Sequence, residues 1–433
     1  MTSPPLLRRE IGVFGATLMG LGSIVGTGVF VSIGIAAGIS GPSVIIAVAI
    51  GAVVAICNGF NSAQLAANHP VSGGTYEYGY KYLNHWLGFI AGWMFLLAKS
   101  ASAATAALGF AGYLLNAFGI NNQTWLVLTA LTAVVVLTIV VLSGIRRSNF
   151  TNIIIVSITL FSLVVFILAG VPQVVSSAGD NLTPFFPGDK PIASLLQAAA
   201  LMFVAYTGYG RIATLGEEVK EPRRTIPRAI ALTMIVTCLL YISIAVVTVV
   251  VGQEVINKLS QADVSLAAPL EVIARVGGLG VPVIPKLIAI GAITAMLGVL
   301  LNLILGLSRV LLAMGRRRDV PRVVARLNSE QTTPYIAVIV VGVAIAFLVL
   351  IGDVKTTWSF SAFNVLIYYA ITNFAALKLS PEERLYPKWL GWVGLAACLF
   401  LAFWVEQQIW LVGLGLIFVG LIWHSLIHRL INE

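Results

Sequence analysis

Long apolar stretches separated by short polar segments recur along the whole of this 433-residue chain. Most are long enough for a helix to cross the hydrocarbon core of a bilayer, which takes about 20 residues. The pattern predicts about twelve spanning helices and therefore an all-α polytopic membrane protein. The approximate predicted spans are 12–38, 43–66, 87–116, 124–143, 151–170, 192–212, 227–251, 284–312, 334–351, 357–377, 389–405 and 409–428.

Composition and charge agree with this class and predict an orientation. The chain is 59% hydrophobic and 10% charged, whereas soluble proteins carry about 25% charged residues. With the N-terminus in the cytoplasm, 20 of the 26 Lys and Arg residues fall on the cytoplasmic side and five on the other. This is a strong positive-inside bias. We therefore expect a multi-pass protein of the cell (inner) membrane with both termini cytoplasmic, and the net charge of +9 needs no nucleic acid partner.

The first apolar stretch contains the glycine-rich segment Gly20–Phe30, GLGSIVGTGVF. Each glycine inside a helix costs about 1 kcal/mol relative to alanine, so four of them predict a helix interrupted within the membrane. Interrupted backbone at that depth is tolerated where it lines a cavity, and transporters use such breaks to bind solutes. Close packing between helices is the equally weighted alternative, and the spacing of Gly22 and Gly26 fits it.

The sixth stretch carries a second interruption, at Gly208 and Gly210, beside two tyrosines. Its Thr207-Gly208 pair repeats the Thr27-Gly28 pair of the first stretch. Breaks five spans apart suggest a five-plus-five inverted repeat. The resulting division is a cytoplasmic N-terminus (1–11), a first repeat (12–170), an external loop (171–191), a second repeat (192–377), and two further helices with the cytoplasmic C-terminus (378–433).

Two connecting segments also have helical character. The cytoplasmic segment around Gly73 and Gly74 is rich in tyrosine, which suits either a plain turn with an aromatic belt or a short surface helix. The external segment 253–283 contains VSLAAPLEVIARVG, whose helical spacing predicts a short external helix.

With these features in place, the chain resembles the amino acid–polyamine–organocation (APC) superfamily, in the branch of amino acid permeases related to cationic amino acid transporters. The resemblance covers the first three-quarters of the chain. Its motifs are GSIVGTGVF (22–30), AQLAANHPVSGGTYEYGYKYL (63–83), FVAYTGYGRIATLGEEVKEPRRTIPRAI (203–230) and LGLSRVLLAMGRRRDVP (305–321). It implies a LeuT-type fold and secondary transport of amino acids or related amines.

Three positions depart from the pattern that this resemblance implies. Many relatives carry glutamate where Gln64 stands, and an acidic residue where Gly210 stands. Several sodium-independent relatives carry a lysine in span five whose amine replaces a coupling sodium ion, and that place falls on Thr159. The coupling mechanism therefore does not carry over to this chain.

The chemistry of an amino acid indicates which groups of the two breaks would bind it. The carboxylate is expected on the N–H groups of Gly26, Thr27 and Gly28, with the hydroxyls of Ser23 and Thr27 nearby. The ammonium is expected on freed carbonyls, at Leu21, Gly22, Ile24, Phe203, Val204 and Ala205. Tyr206 and Tyr209 would gate the pocket, and Phe203 would form part of its wall. Gly208 and Gly210 would leave space for the substrate. Ordinary helix packing also explains the three aromatic residues.

Lys99 lies near the middle of the third span, where a charge costs roughly 2.5–3.5 kcal/mol on insertion scales. We expect it to act as a fixed or titrating cation in place of the missing span-five lysine, with Thr159 and Thr294 as neighbours. A structural amine within a polar bundle core is the rival interpretation.

The charged segment after span six offers a cytoplasmic gate. Glu217 and Glu218 would pair with Arg147 or Arg224, although a solvated loop explains these charges equally well.

The function classes can be ranked from these features. The leading prediction is a secondary amino acid transporter, proton-coupled or sodium-independent, with neutral substrates favoured over cationic ones. An exchanger, a polyamine transporter, and a receptor or channel on the same fold are the alternatives. The three cysteines and four histidines form no metal-ligand pattern, so no metal, cofactor or enzymatic activity is expected; the partners are the substrate, lipid and protons.

Overall fold

The computed structural model describes residues 11–71, 73–144, 149–213, 219–261, 267–277, 279, 283–328 and 333–432. These residues form sixteen α-helices and no β-strand; one isolated parallel bridge joins Ile11 to Val219. The helices are α1 (Val13–Ile24), α2 (Ile33–Ser40), α3 (Val44–Asn68), α4 (Thr75–Tyr82), α5 (His85–Ala117), α6 (Gln123–Leu142), α7 (Asn149–Asn181), α8 (Pro191–Tyr206), α9 (Gly210–Ala213), α10 (Pro222–Gln261), α11 (Pro269–Val276), α12 (Val283–Arg317), α13 (Tyr335–Val349), α14 (Val354–Leu377), α15 (Trp389–Ala402) and α16 (Gln407–Asn432).

Every predicted span contains at least one of these helices. By length and composition, nine helical segments of the described chain are apolar enough to cross a membrane. One of them, Gly28–Asn68, runs from the second half of the first span through the whole of the second. Three shorter apolar helices, α1, α13 and α15, correspond to the first half of the first predicted span and to the two predicted spans that remain. The chain is a polytopic, all-helical membrane protein, and the number of twelve crossings stays a prediction.

The first span is interrupted where the glycines predict it. Helix α1 ends at Ile24, and Val25 adopts an extended conformation with φ −80° and ψ 98°. The chain then resumes as a π-helical turn over Gly28–Ser32, which leads into α2. We call Val25–Thr27 the first break. The π-turn widens the helix next to the break, which is a common feature of functional helices.

The sixth span is also interrupted. Helix α8 ends at Tyr206, a single 3₁₀ turn covers Thr207–Tyr209, and α9 follows. We call Thr207–Tyr209 the second break. Both breaks are buried: Thr27 and Thr207 are 4% and 3% exposed.

Both connecting segments that were predicted to have helical character form helices. The tyrosine-rich segment after α3 forms α4, and the predicted external helix is α11. Helix α7 continues past residue 170 to Asn181, so the external connection begins later than the predicted boundary at 171.

Helix contacts place the two broken spans at the centre of the molecule. Helix α1 packs against α7 and α10, whereas α8 packs against α2 and α3. Around them, α5 packs against both α12 and α14. Helices α6, α7 and α16 present large exposed apolar side chains, such as Val136, Phe161 and Phe418, which suits contact with lipid.

Candidate functional site

The two breaks touch each other, and glycines make the approach possible. A Cβ added to Gly28 would lie 2.7 Å from the Cα and Cβ atoms of Ala205. A Cβ added to Gly208 would overlap the carbonyl of Ser23 and lie 2.6 Å from Cγ1 of Ile24. Real Cβ atoms do not approach other atoms so closely, so only glycine fits at these two positions without a backbone shift.

The other three glycines of the segment Gly20–Phe30 serve helix packing. At each of them an added Cβ would lie less than 3.0 Å from a side chain of a different helix. The neighbours are Ile212 for Gly20, Val156 for Gly22 and Val299 for Gly26. The sequence left open whether the glycines break the helix or pack it closely. The structure shows both, because the helix is interrupted and its two halves are tightly enclosed.

Tyr241 of α10 joins the two breaks, and sequence analysis missed it. Its hydroxyl lies 2.9 Å from the carbonyl oxygen of Ile24, to which it donates, and 3.3 Å from that of Ala205. These carbonyls end the first halves of the two broken spans. A tyrosine inside an apolar stretch was the available signal, since a buried Tyr hydroxyl usually finds a partner.

Most carbonyls predicted to receive a substrate ammonium already have protein donors. The N–H of Val25 donates to the Leu21 carbonyl at 2.8 Å. The backbone N–H and the hydroxyl of Thr207 both donate to the Val204 carbonyl, the hydroxyl at 2.8 Å. The carbonyls of Ile24 and Ala205 lie near the Tyr241 hydroxyl. Four of the six carbonyls predicted to accept a substrate ammonium therefore have a protein donor within hydrogen-bond distance.

Two predicted site residues, Thr27 and Tyr209, have buried hydroxyls without a hydrogen-bond partner among the described residues, and Thr27 belongs to the first break. Its hydroxyl is buried and has no partner among the described residues. A buried polar atom without a partner costs about 1–3 kcal/mol, so a group that completes its bonding would be favoured there. By contrast, the Ser23 hydroxyl is half-buried and donates to the Met19 carbonyl of its own helix at 3.0 Å.

Lys99 reaches the second break. Its amine donates to the hydroxyl of Thr207 at 2.9 Å, so a cation from the third span lies at the C-terminal end of α8. The expected neighbours Thr159 and Thr294 do not make this contact. Each of their hydroxyls donates instead to a carbonyl of its own helix, those of Ile155 and Ile290, as Thr side chains in helices commonly do.

Aromatic side chains surround the second break. Phe203 and Tyr209 both contact the ring of Tyr369 on α14, at centroid distances of 5.7 and 5.4 Å. The Tyr369 hydroxyl donates to the Thr207 carbonyl at 3.1 Å. Tyr206 packs beside Tyr241, with 5.0 Å between ring centroids. The structure thus brings Phe203, Tyr206 and Tyr209 to the break and adds Tyr369, which the sequence did not single out.

The predicted cytoplasmic gate falls largely outside the described residues, which do not include Arg147, Glu217 and Glu218. Arg224 is described and pairs with Glu221 at 3.3 Å on an exposed surface. The gate stays a prediction. Gln64 is part of a buried amide network of α3 rather than of the breaks, and its amide donates to Asn61 at 2.9 Å.

Comparisons with known proteins extend the resemblance to nearly the whole chain. The family model described as amino acid permease matches residues 15–428. An uncharacterised transporter of Mycobacterium tuberculosis is 40% identical over 420 residues, covering 96% of this chain and 91% of that protein. The branched-chain amino acid permease BcaP of Bacillus subtilis is 26% identical over 98% of this chain and 94% of its own. Cationic amino acid transporter 6 of Arabidopsis thaliana is 27% identical over 85% of this chain and 65% of its own.

Proposed function

Because the chain belongs to the amino acid permease family, we propose that it moves amino acids across the cell membrane by alternating access, as a secondary transporter. The substrate binds at the interrupted segments of the two spans, beside the contacts that Gly28 makes with Ala205 and Gly208 makes with Ser23. The observation that carries this proposal is the direct contact of two interrupted helices inside the bundle. Interrupted helices that meet in a membrane bundle form the solute sites of transporters.

The packing of the helices supports an inverted repeat. If spans 1–5 and 6–10 are equivalent, the contact of α1 with α10 corresponds to the contact of α8 with α3. The contact of α7 with α12 likewise corresponds to that of α14 with α5. All four contacts occur. Alternating access in such folds is movement of one helix group against the other around a fixed site.

Lys99 supports transport without sodium. The ammonium group of Lys99 bonds to Thr207 at the second break. It supplies within the bundle the positive charge that a coupling sodium ion would otherwise supply. The proposal therefore includes sodium-independent transport, with protons as the coupling ion.

The test is counterflow of labelled amino acids in liposomes that contain the purified protein. We expect saturable uptake that is stimulated by unlabelled substrate inside, unchanged when potassium replaces sodium, and accelerated by an inward proton gradient. Flux that does not saturate and shows no counterflow would indicate a channel instead. A strict sodium requirement would remove the part of the proposal that concerns Lys99.

A further inference from the structure

The junction of the two breaks combines one positive charge with neutral hydroxyl groups. Lys99 brings an ammonium group to Thr207, and Tyr241 brings a hydroxyl to Ile24 and Ala205. The hydroxyl of Thr27 is buried without a partner in the described structure. The second half of the first span also begins here, and the first N–H groups of a helix have no carbonyl partner within it.

The charge of Lys99 is not balanced by a carboxylate among the described residues. Its one hydrogen bond there goes to a neutral hydroxyl, and it forms no ion pair with them. The two fully buried acids of the described chain have other partners: Glu271 pairs with Arg275, and Asp319 accepts hydrogen bonds from Tyr76 and Tyr80.

The helix dipole offsets this charge only in part. Lys99 lies at the C-terminal end of α8, where the dipole corresponds to roughly half a negative charge. A half-buried cation within the helix bundle, as Lys99 is, is stabilised further by an anion that arrives with the ligand, since paired charges are tolerated where single ones are not.

A ligand ammonium finds few acceptors at the same place. It needs oxygen lone pairs, because an ammonium group donates and does not accept. The carbonyls of Leu21, Ile24 and Val204 each already receive a protein donor, and the carbonyl of Ala205 lies 3.3 Å from the Tyr241 hydroxyl, so a ligand ammonium would have to compete for their remaining lone pairs. The site is therefore better matched to a carboxylate than to an amine.

We propose that the transported substrate carries a net charge of −1 at neutral pH and that a carboxylate of this substrate pairs with Lys99. This inference rests on the proposed function, because it assumes that the substrate occupies the junction of the breaks. Two kinds of substrate carry this net negative charge. One is an amino acid with an acidic side chain, and the other is a carboxylic acid that lacks the α-amine. In both cases cationic amino acids are excluded by repulsion from Lys99.

The experiment compares matched ligands on the purified full-length protein, by thermal shift and by counterflow in liposomes. Glutamate is compared with glutamine, which differs in charge alone. Leucine is compared with its 2-oxo analogue 4-methyl-2-oxopentanoate, which lacks the amine, and lysine represents the cations. We expect at least one anionic member to bind about tenfold or more tightly than its neutral partner, and lysine not to bind.

Variants then assign this preference to Lys99. Lys99→Gln is expected to weaken binding of the anionic ligand by about tenfold or more, which corresponds to about 1.4 kcal/mol, whereas Lys99→Arg keeps most of it. Lys355→Gln is the matched control, because Lys355 is half-exposed and pairs with Glu406 at 3.7 Å. Tyr241→Phe removes the hydroxyl that donates to the Ile24 carbonyl and lies near that of Ala205, and it is expected to favour leucine relative to its 2-oxo analogue.

The outcomes separate this inference from the proposed function. Transport of glutamine, leucine or lysine that exceeds that of the anions and is unaffected by Lys99→Gln would overturn the inference and leave amino acid transport intact. Transport of the 2-oxo acid alone would support the inference and overturn amino acid transport. A folded preparation that binds and moves none of the ligands would contradict both.

Discussion

At the scale of single residues, the site depends on two positions that have no side chain. Gly28 and Gly208 let one interrupted helix lie against the other, because no Cβ stands between their backbones. The sequence indicated that these positions matter, and the structure shows the atoms that require glycine there.

Gly28→Ala tests this requirement. The new Cβ would lie 2.7 Å from the Cα atom of Ala205, so the backbone must move. Overpacking of this kind costs about 1–3 kcal/mol, and we expect a lower melting temperature in detergent together with loss of counterflow.

Gly306→Ala is the matched control for that variant. An added Cβ at Gly306 meets no atom within 4 Å, and Gly306 lies inside α12. Alanine is the better helix former there by up to about 1 kcal/mol, so stability should be unchanged or higher and transport retained. If Gly28→Ala behaved like Gly306→Ala, the two breaks would not be in contact in the working protein.

At the scale of helices, a chain of buried amides joins α3 to α14 and α15. Gln64 donates to Asn61 at 2.9 Å, Asn61 donates to Asn373 at 2.7 Å, and Asn373 donates to Asn58. Asn58 in turn donates to the sulfur of Cys398 at 3.2 Å. These bonds link side chains of three helices, and they fix α3, α14 and α15 relative to one another.

A double-mutant cycle measures this link. Asn61→Ala and Asn373→Ala should each destabilise the protein, because each leaves partners of the chain unsatisfied. Their coupling energy should be about 1 kcal/mol, since interhelical hydrogen bonds in membranes average about 0.6 and reach about 1.7 kcal/mol. Chemical denaturation in mixed micelles provides the four unfolding free energies.

The control cycle pairs Asn61→Ala with Asn122→Ala. Asn122 caps the start of α6 by accepting from the N–H groups of Thr124 and Trp125. It belongs to a separate hydrogen-bond system, so its coupling to Asn61 should stay below about 0.5 kcal/mol. Equal coupling in both cycles would rule out a specific amide chain.

At the scale of the whole molecule, helix α11 covers one end of the first span. Gly34 of α2 packs against Pro269 of α11. The hydroxyl of Tyr113 donates to the Phe30 carbonyl at 2.7 Å and accepts from the Leu270 N–H at 3.3 Å. Under the predicted orientation α11 would lie on the external side, and we predict that it acts as a lid that opens when the site faces outward.

The lid contains a titratable group, Glu271, which is 2% exposed and pairs with Arg275. Burial raises the pKa of the Glu271 carboxyl, while the neighbouring side chains of Asn116 and Arg275 oppose the shift. The closed lid therefore binds a proton more tightly than the open lid, in which the pKa returns to its ordinary value. By linkage, the closed state loses stability as the pH rises through the range from the ordinary to the raised pKa.

Hydrogen exchange of α11 tests this dependence. After correction for intrinsic exchange rates, we expect stronger protection at pH 5.5 than at pH 7.5 in the unmodified protein. Glu271→Gln imitates the protonated carboxyl, so its protection should be high and independent of pH. Protection in the unmodified protein that rises with pH would contradict the proposed role of Glu271.

The apolar pattern and the clustered glycines were enough to predict where the helices lie and where two of them are interrupted. Spanning length and apolar content set the helices, and clustered glycines with Thr27-Gly28 and Thr207-Gly208 set the breaks. These features are local, since both depend on residues within a few turns of one another. The resemblance to amino acid permeases rests on motifs of the same kind, and the family is confirmed.

Only the tertiary structure decided which groups meet at the site. The bond from Lys99 to Thr207 joins residues 108 positions apart, and the bond from Tyr241 to Ile24 joins residues 217 positions apart. The rotation and depth of each helix in the bundle fix these contacts, and both result from packing against several neighbours at once. For this reason the sequence singled out Lys99 but not its bond to Thr207, and it did not single out Tyr241.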